Sequence, residues 1–383
     1  MNPLRSFLHS VTRRKSDARK QSEIPYGMLT LQATYNYGVS LFHLGQDWAY
    51  EHAVETFLRI IDVIPPTDER IERELRQLAQ GSLACTYARL ATRKPQQKKQ
   101  YCDLTFAQTQ SLLANPSISR EARVLALTAN GLAYLALNEY DRAINSFQSA
   151  TELEANIIAL LGLGEAYMKE KKREEALEAY QKANQMTSAG GYAAYKLGNL
   201  FREINNKDLA KEAYKRASAL SVARLALGKL YLEDGDLEAA LEEFRRAVEF
   251  NRKSAEAWAN IAWTILEMPN ADDKLIDECV DAAQRSLQMD VGGANEWHRR
   301  TILALSLVAA QKPEQALKEA KLGLGLAVDN AQAQYCVALC EFHLNRPENA
   351  RKILLDILRS QVRGLWRTKA ESLMKEINKG TTS

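Results

Sequence analysis

The sequence predicts an all-α solenoid of about nine antiparallel helix pairs followed by a closing helix, and three observations carry that expectation. First, the stretch NGLAYLALNEYDRAINSFQSA at 130–150 comes back in near copy at 163–183, 197–217 and 227–247. Second, apolar residues recur at three and four places on either side of a polar turn (LNEYDR, EKKREE, INNKDL, EDGDLE), which is the period of an amphipathic helix. Third, glycines sit inside these helices, where each costs about 1 kcal/mol against Ala, so close approach of two helices must repay them. A fixed period means units that stack into one elongated body, which overrides the two or three globular domains that 383 residues would otherwise suggest.

The offsets read as a packing code. Gly131, Gly164, Gly198 and Gly228 mark the first helix of each copy, and Ala143, Ala176, Ala210 and Ala240 lie where the second helix is expected to pass them. Tyr134, Tyr167, Phe201 and Tyr231, with Phe147, Tyr180, Tyr214 and Phe244, are expected to fill the wider spaces. Ala150, Ala183, Ala217 and Ala247 then let the next unit close on the second helix.

Small residue, aromatic, Ala, aromatic, Ala at a period near 34 resembles the tetratricopeptide repeat family. The Gly-to-Gly intervals are 33, 34 and 30 residues, the last shortened at SALSV, 218–222. Weaker copies extend the array. Gly38, Ala53, Phe57 and Pro65 take the family positions in one, and Ala84, Tyr87 and Pro116 in the next. Downstream come Trp258, Ala262, Ile265, Cys279, Ala283 and Ser286, then Ala304, Leu307, Ala316 and Ala320, then Ala338 and Ala350. The resemblance implies a right-handed superhelix over 24–362, after a basic tail at 1–23 and before a capping segment at 363–383. In that segment Trp366, Ala370, Leu373 and Ile377 form one stripe, and Trp366 is read as core that shields the last repeat from water. Three turns read as lengthened, at roughly 46–51, 91–101 and 267–277, as solvated loops or as projections that touch a partner.

Hydrophobic content of 46% and charge of 26% are those of a folded soluble chain. The longest uncharged apolar run, 301–310, falls short of the roughly 18 residues a membrane span needs. Residues 1–23 hold six basic and two acidic residues, so of the total +3 the tail carries +4 and the rest −1. A nearly neutral body argues against a broad phosphate-binding surface, which leaves nucleic-acid binding through the tail and the basic 93–99 loop as the lesser alternative. The tail itself reads as a frayed terminus or as a membrane-surface or targeting helix. Five cysteines without framework spacing argue against a disulfide-built secreted fold and for a reducing, cytoplasmic setting.

No catalytic motif is present. GLGEAY at 162–167 lacks the third glycine of a dinucleotide loop, and the sequence contains no GxxxxGK[ST], HExxH or GxSxG. Cys336, Cys340 and His343 share a helix stripe without an evident fourth ligand, and free Cys also behaves as a small core residue, so no metal and no cofactor is expected. An enzyme is not expected.

The resemblance implies ligand contacts from positions two, five, nine and twelve of each repeat. With Gly131 and its equivalents as position eight, these are Leu125, Thr128, Leu132 and Leu135, then Ile158, Leu161, Glu165 and Met168. The next copies give Tyr192, Tyr195, Asn199 and Arg202, then Val222, Leu225, Lys229 and Leu232, then Glu256, Ala259, Trp263 and Leu266. No three consecutive copies supply the Lys, Asn and Arg set by which relatives hold a chaperone's carboxylate tail. The candidate groove is therefore Leu132, Leu161, Glu165, Tyr192, Tyr195, Asn199, Arg202, Leu225, Lys229 and Trp263. It suits a peptide or amphipathic helix of another protein, with no small-molecule substrate. The alternatives are that superhelical winding or the protein's own tail covers these residues, and that the chain is a regulatory or sensor subunit of an enzyme encoded elsewhere. Self-association stays open.

Overall fold

The computed structural model describes residues 26–66, 69–186 and 190–380, so the basic tail expected at 1–23 lies outside the described residues. Among the described residues there are nineteen α-helices, one short 3-10 turn at Pro95–Gln97 and no strand. The chain divides into two compact units, Met1–Asn206 and Lys207–Ser383. The first holds α1 (Tyr26–Leu44), α2 (Asp47–Val63), α3 (Arg70–Arg93), α4 (Lys98–Leu113), α5 (Arg120–Ala136), α6 (Tyr140–Leu153), α7 (Ile157–Lys169), α8 (Arg173–Gln185) and α9 (Gly190–Glu203). The second holds α10 (Lys207–Arg216), α11 (Ser221–Glu233), α12 (Leu237–Phe250), α13 (Ala255–Glu267), α14 (Asp273–Gln288), α15 (Glu296–Ala309), α16 (Pro313–Leu326), α17 (Ala331–His343), α18 (Pro347–Arg359) and α19 (Leu365–Gly380). In chain order this is nine two-helix copies followed by one single helix, the all-α solenoid class that the sequence predicts. Odd-numbered helices up to α17 are the first helices of the copies.

Helix starts follow local chemistry. Asn156 Oδ1 accepts from the Ala159 N–H at 3.0 Å, Asp272 Oδ1 from Leu275 at 2.8 Å and Ser254 Oγ from Ala257 at 3.2 Å. Each satisfies one of the donors that the first helical turn leaves unpaired. Pro313 and Pro347 open α16 and α18, where a missing N–H costs nothing.

Inside most copies the chain reverses in three residues, and the middle one is left-handed. Asn138, Lys171, Asn205, Gln311 and Asn345 have φ of 63°, 61°, 60°, 57° and 57°, and Gly235 has 80°. That conformation lets the next N–H reach back five residues: Glu139 donates to Tyr134 O and Lys172 to Tyr167 O, both at 2.9 Å, and Lys312 to Leu307 O at 2.8 Å. The bond closes the end of the first helix and aims the second helix back along it.

This turn corrects the expected insertions. Gly45, φ 66°, takes the same left-handed place in the first copy, and α2 begins at Asp47, so nothing is inserted at 46–51. At 91–101 the additional residues lengthen α3 to 24 residues and add the 3-10 turn, and Lys98 and Lys99 open α4. Only at 268–272 is there a longer non-helical turn, and none of its residues is left-handed. Acidic residues at 273–278 belong to α14, because Asp near a helix N-terminus favours the helix dipole.

The expected partner of the helical glycines is also corrected. A Cβ on Gly131 would lie 2.5 Å from Phe147 Cε1, and one on Gly228 would lie 2.6 Å from Phe244 Cε1. Gly164 stands in the same way against Tyr180, and Gly38 against Phe57. The aromatic ring of the second helix, not the small Ala143, Ala176 or Ala240, lies on the glycine. The ring leaves no room for a Cβ at the glycine, whereas the alanines are fully buried beside it. Phe147, Tyr180, Tyr214 and Phe244 are at most 2% exposed, while Tyr134, Tyr167, Phe201 and Tyr231 of the first helices are only half-buried. Phe147 also covers Gly162 of α7, so one ring fixes the spacing of two successive first helices.

The weaker copies pack by the same rules. Ala53, Phe57 and Ile60 of α2 are buried with Leu75, Ala79 and Leu83 of α3, and Ala262, Ile265, Cys279 and Ala283 share a core with Ala304 and Ala316. In α19 Ala370, Leu373 and Ile377 are buried against Ala338, Ala350, Leu354 and Ile357. Buried charges are tied down: Arg299 donates to Asp290 Oδ2 at 2.6 Å and to Ala255 O and Ser286 Oγ at 3.1 Å.

All five cysteines are free and buried. Burial pushes the Cys85 thiol up to about 12 and that of Cys279 up to about 11, and the hydrogen bond to Cys340, with burial, holds Cys336 well above its ordinary value.

Gly131→Val is expected to cost about 2–3 kcal/mol by overpacking against Phe147, whereas Gly325→Ala in α16, where the space is open, is expected to gain up to about 1 kcal/mol of helix propensity. Urea unfolding of each variant beside wild type measures both. The native chain is expected to take up essentially no thiol reagent near neutral pH, and to label at all five cysteines once unfolded in urea.

Candidate functional site

The expected groove residues divide between the two units. In the first unit, Leu132 is 4% exposed and belongs to the core with Val124, Ile144 and Phe147, so it is not a contact surface. Leu161 is half-buried against Leu160, Ala183 and Ala193. Glu165 of α7 and four residues of α9 form the more open part: Tyr192 is 46% exposed, Arg202 is exposed, and Tyr195 and Asn199 are half-buried.

These side chains are ordered by a lysine that the repeat positions do not include. Lys196 Nζ donates to Glu165 Oε2 at 3.3 Å and lies 5.4 Å from the centroid of the Tyr192 ring, which in turn is 6.0 Å from that of Tyr195. Burial pulls the Lys196 ammonium down, but Glu165 and Tyr192 together hold it above the ordinary lysine value. The cation thus bridges α7 to α9 and fixes the tilt of Tyr192.

In the second unit, Leu225 of α11 is half-buried against the core, and Lys229 is ion-paired with Glu256 of α13. The pairing neutralises the positive charge expected of Lys229. Both residues sit at repeat positions assigned to ligand contact, so two successive first helices satisfy each other there.

Trp263 of α13 is the centre of a larger arrangement. Its ring lies 6.0 Å from that of Trp366 in α19, and the Tyr335 ring of α17 lies 5.7 Å from Trp366. These rings, with Leu305 and Val308 of α15 between them, line a chamber of about 750 Å³ within the second unit. Trp366, expected in the core, is half-buried and forms a wall of this chamber as well as packing on the last repeat. Burial pushes the Tyr335 hydroxyl up to about 12, so it stays a neutral donor. Tyr335 had a legible signal, since it stands at position five when Ala338 is counted as position eight. Lys369 and Glu267, which meet at 3.2 Å on the chamber rim, had none, because 102 residues separate them.

Among the described residues no group of three His, Cys, Asp or Glu side chains is placed to hold a metal ion. Cys336 and Cys340 are in the core, Cys336 Sγ donating to Thr301 O at 3.7 Å, and His343 is exposed. No described helix is long and apolar enough to cross a membrane.

The model of the family described as tetratricopeptide repeat matches at residues 128–190, 195–263 and 303–361. A comparison with curated protein sequences finds no match. Among solved structures, a chain of the APC/C hetero-tetramer Cut9–Hcn1 is similar at 16% identity with a TM-score of 0.52, over 83% of this chain and 57% of that one. This chain therefore spans little more than half of that relative's length. YrrB, a TPR protein with an unusual peptide-binding site, is similar at 20% identity and a TM-score of 0.42, over 50% of this chain and 97% of its own. The human IFIT1 dimer with m7Gppp-AAAA gives 16% identity and a TM-score of 0.45, over 90% of this chain and 81% of that one.

Replacing Glu165 by Gln is expected to cost about 0.5–1 kcal/mol, since it leaves a mostly covered ammonium without its anion. A lysine raised in the folded state contributes stability that is complete below its unfolded value of 10.5 and lost above the folded one. The difference between variant and wild type is therefore expected to be flat from about pH 6 to 9, which urea unfolding across that range checks.

Proposed function

Because the chain is a tetratricopeptide-repeat protein, we propose that it is a non-enzymatic interaction module, an adaptor or assembly factor that holds a peptide or helix of a partner protein on the faces of its first helices. Repeat arrays of this kind present side chains for contact, and fold alone does not name the contact. The observation that carries the reading is the set of aromatic and polar side chains that the core leaves unburied at ligand-contact positions. Tyr192, Tyr195, Asn199 and Arg202 stand so on α9, and Trp263 on α13. Large aromatics held in fixed orientations are low-entropy anchors for a partner chain. In the first unit the ordered Lys196–Tyr192–Tyr195 group supplies such an anchor, with Arg202 at the end of α9 for an acidic group of the ligand. The five free, buried thiols support a reducing, cytoplasmic setting.

The test is a pull-down from native lysate with wild type beside a Tyr192→Ala, Arg202→Glu variant, both confirmed folded by circular dichroism. The expected outcome is a partner recovered by wild type and lost with the variant. Equal recovery by both removes the α9 face from the reading, and a recovered partner that is itself an enzyme whose rate changes on binding makes the chain a regulatory subunit instead.

A further inference from the structure

The chamber of the second unit holds a cation of its own. Lys369 Nζ lies 5.6 Å from the Trp263 ring centroid and 5.4 Å from that of Trp366, and donates to Glu267 Oε1 at 3.2 Å. Two indole rings and one carboxylate thus surround the ammonium, and the Tyr335 ring stands beside Trp366 on the same wall. Aromatic faces carry negative quadrupole density and attract a cation, the more strongly the further it is desolvated. The chemistry of this wall is therefore selective for positive charge, and the structure itself displays the class of group it takes.

Lys369 is a weakly committed occupant. Its side chain and that of Glu267 are both 34% exposed, and an ion pair so open to water contributes little. The chamber is a half-open hollow of about 750 Å³, within the size range of ligand pockets. Three first helices and the closing helix α19 all contribute to it, which is the surface on which the proposed function places a partner peptide. A planar guanidinium stacks on indole faces and donates two parallel hydrogen bonds to a carboxylate in a way that an ammonium does not.

We infer that the Trp263–Tyr335–Trp366 chamber is a recognition site for an arginine side chain of a partner peptide, and that Lys369 is the internal group which that arginine displaces. The inference rests on the reading of the chain as a peptide-binding module. Helix α19 then both closes the last repeat and competes for the site.

The test titrates the full chain with the tripeptide acetyl-Gly-Arg-Gly-amide and with its neutral citrulline counterpart, read by calorimetry and by indole fluorescence. Lys369→Met, which keeps most of the unbranched side chain and removes the charge, is expected to bind the arginine peptide about tenfold more tightly than wild type. The citrulline peptide is expected to bind that variant at least about tenfold more weakly, and adding Glu267→Gln is expected to weaken arginine binding by about tenfold. Equal affinity for arginine and citrulline, equal affinity of wild type and Lys369→Met, or no saturable binding by the folded variant overturns the inference. Should Lys369→Met not fold, the wild-type titration decides by the arginine-to-citrulline ratio alone. A failed titration beside a partner still lost with the Tyr192, Arg202 variant sinks the chamber and leaves the interaction module standing.

Discussion

An aromatic ring packed directly against a helical glycine is the constraint on which the rest of this structure depends. Phe147 over Gly131, Tyr180 against Gly164 and Phe244 over Gly228 set how closely the two helices of a copy approach. Any side chain on the glycine would hold the ring away and open a gap that the neighbouring alanines are too small to fill. Because Phe147 also rests on Gly162, the same ring determines the step from one copy to the next. Stacking and pairing are thus one interaction seen from two sides, which is why the small and aromatic residues recur together.

The left-handed turn is the second half of that geometry. A residue with φ near 60° at the middle of a three-residue reversal lets the following N–H cap the first helix, and it returns the second helix at the angle the ring requires. Asn tolerates this conformation better than other side-chain-bearing residues, and Asn138, Asn205 and Asn345 occupy it. Lys171 and Gln311 do so without that advantage, held by the packing on either side. With each first helix fixed in this way, its outward positions fall into line without further instruction, and Lys196 can reach Glu165 across two copies while Trp263 can meet Trp366.

Much of this was legible. The strong copies, the weak copies and the apolar stripe of α19 follow from spacing, since the helical period converts sequence distance directly into a face. The misread points share a cause. Residues 46–51 and 273–278 mix charged residues with apolar ones, and such a mixture does not by itself separate a loop from the first turns of a helix. Leu132 stands at a contact position by count but is buried, because neighbouring helices cover that part of α5 and a repeat position carries no information about what lies over it. Lys229 stands among the expected contacts, and Glu256, which pairs with it, stands among the same contact positions one copy later.

The sequence by itself determined the class of fold, the number of copies, the buried faces and the lack of any nucleotide-loop, zincin or hydrolase motif. Those properties depend on local period, on side-chain size and on residue identity, all of which are present in one dimension. Tertiary structure alone decided which second-helix group meets each glycine and which contact positions stay open. It alone placed Trp263, Tyr335, Trp366, Lys369 and Glu267 around one chamber. Those relations join residues up to 102 positions apart, and the distance between them in space is the sum of several helix steps and rotations that no local pattern records.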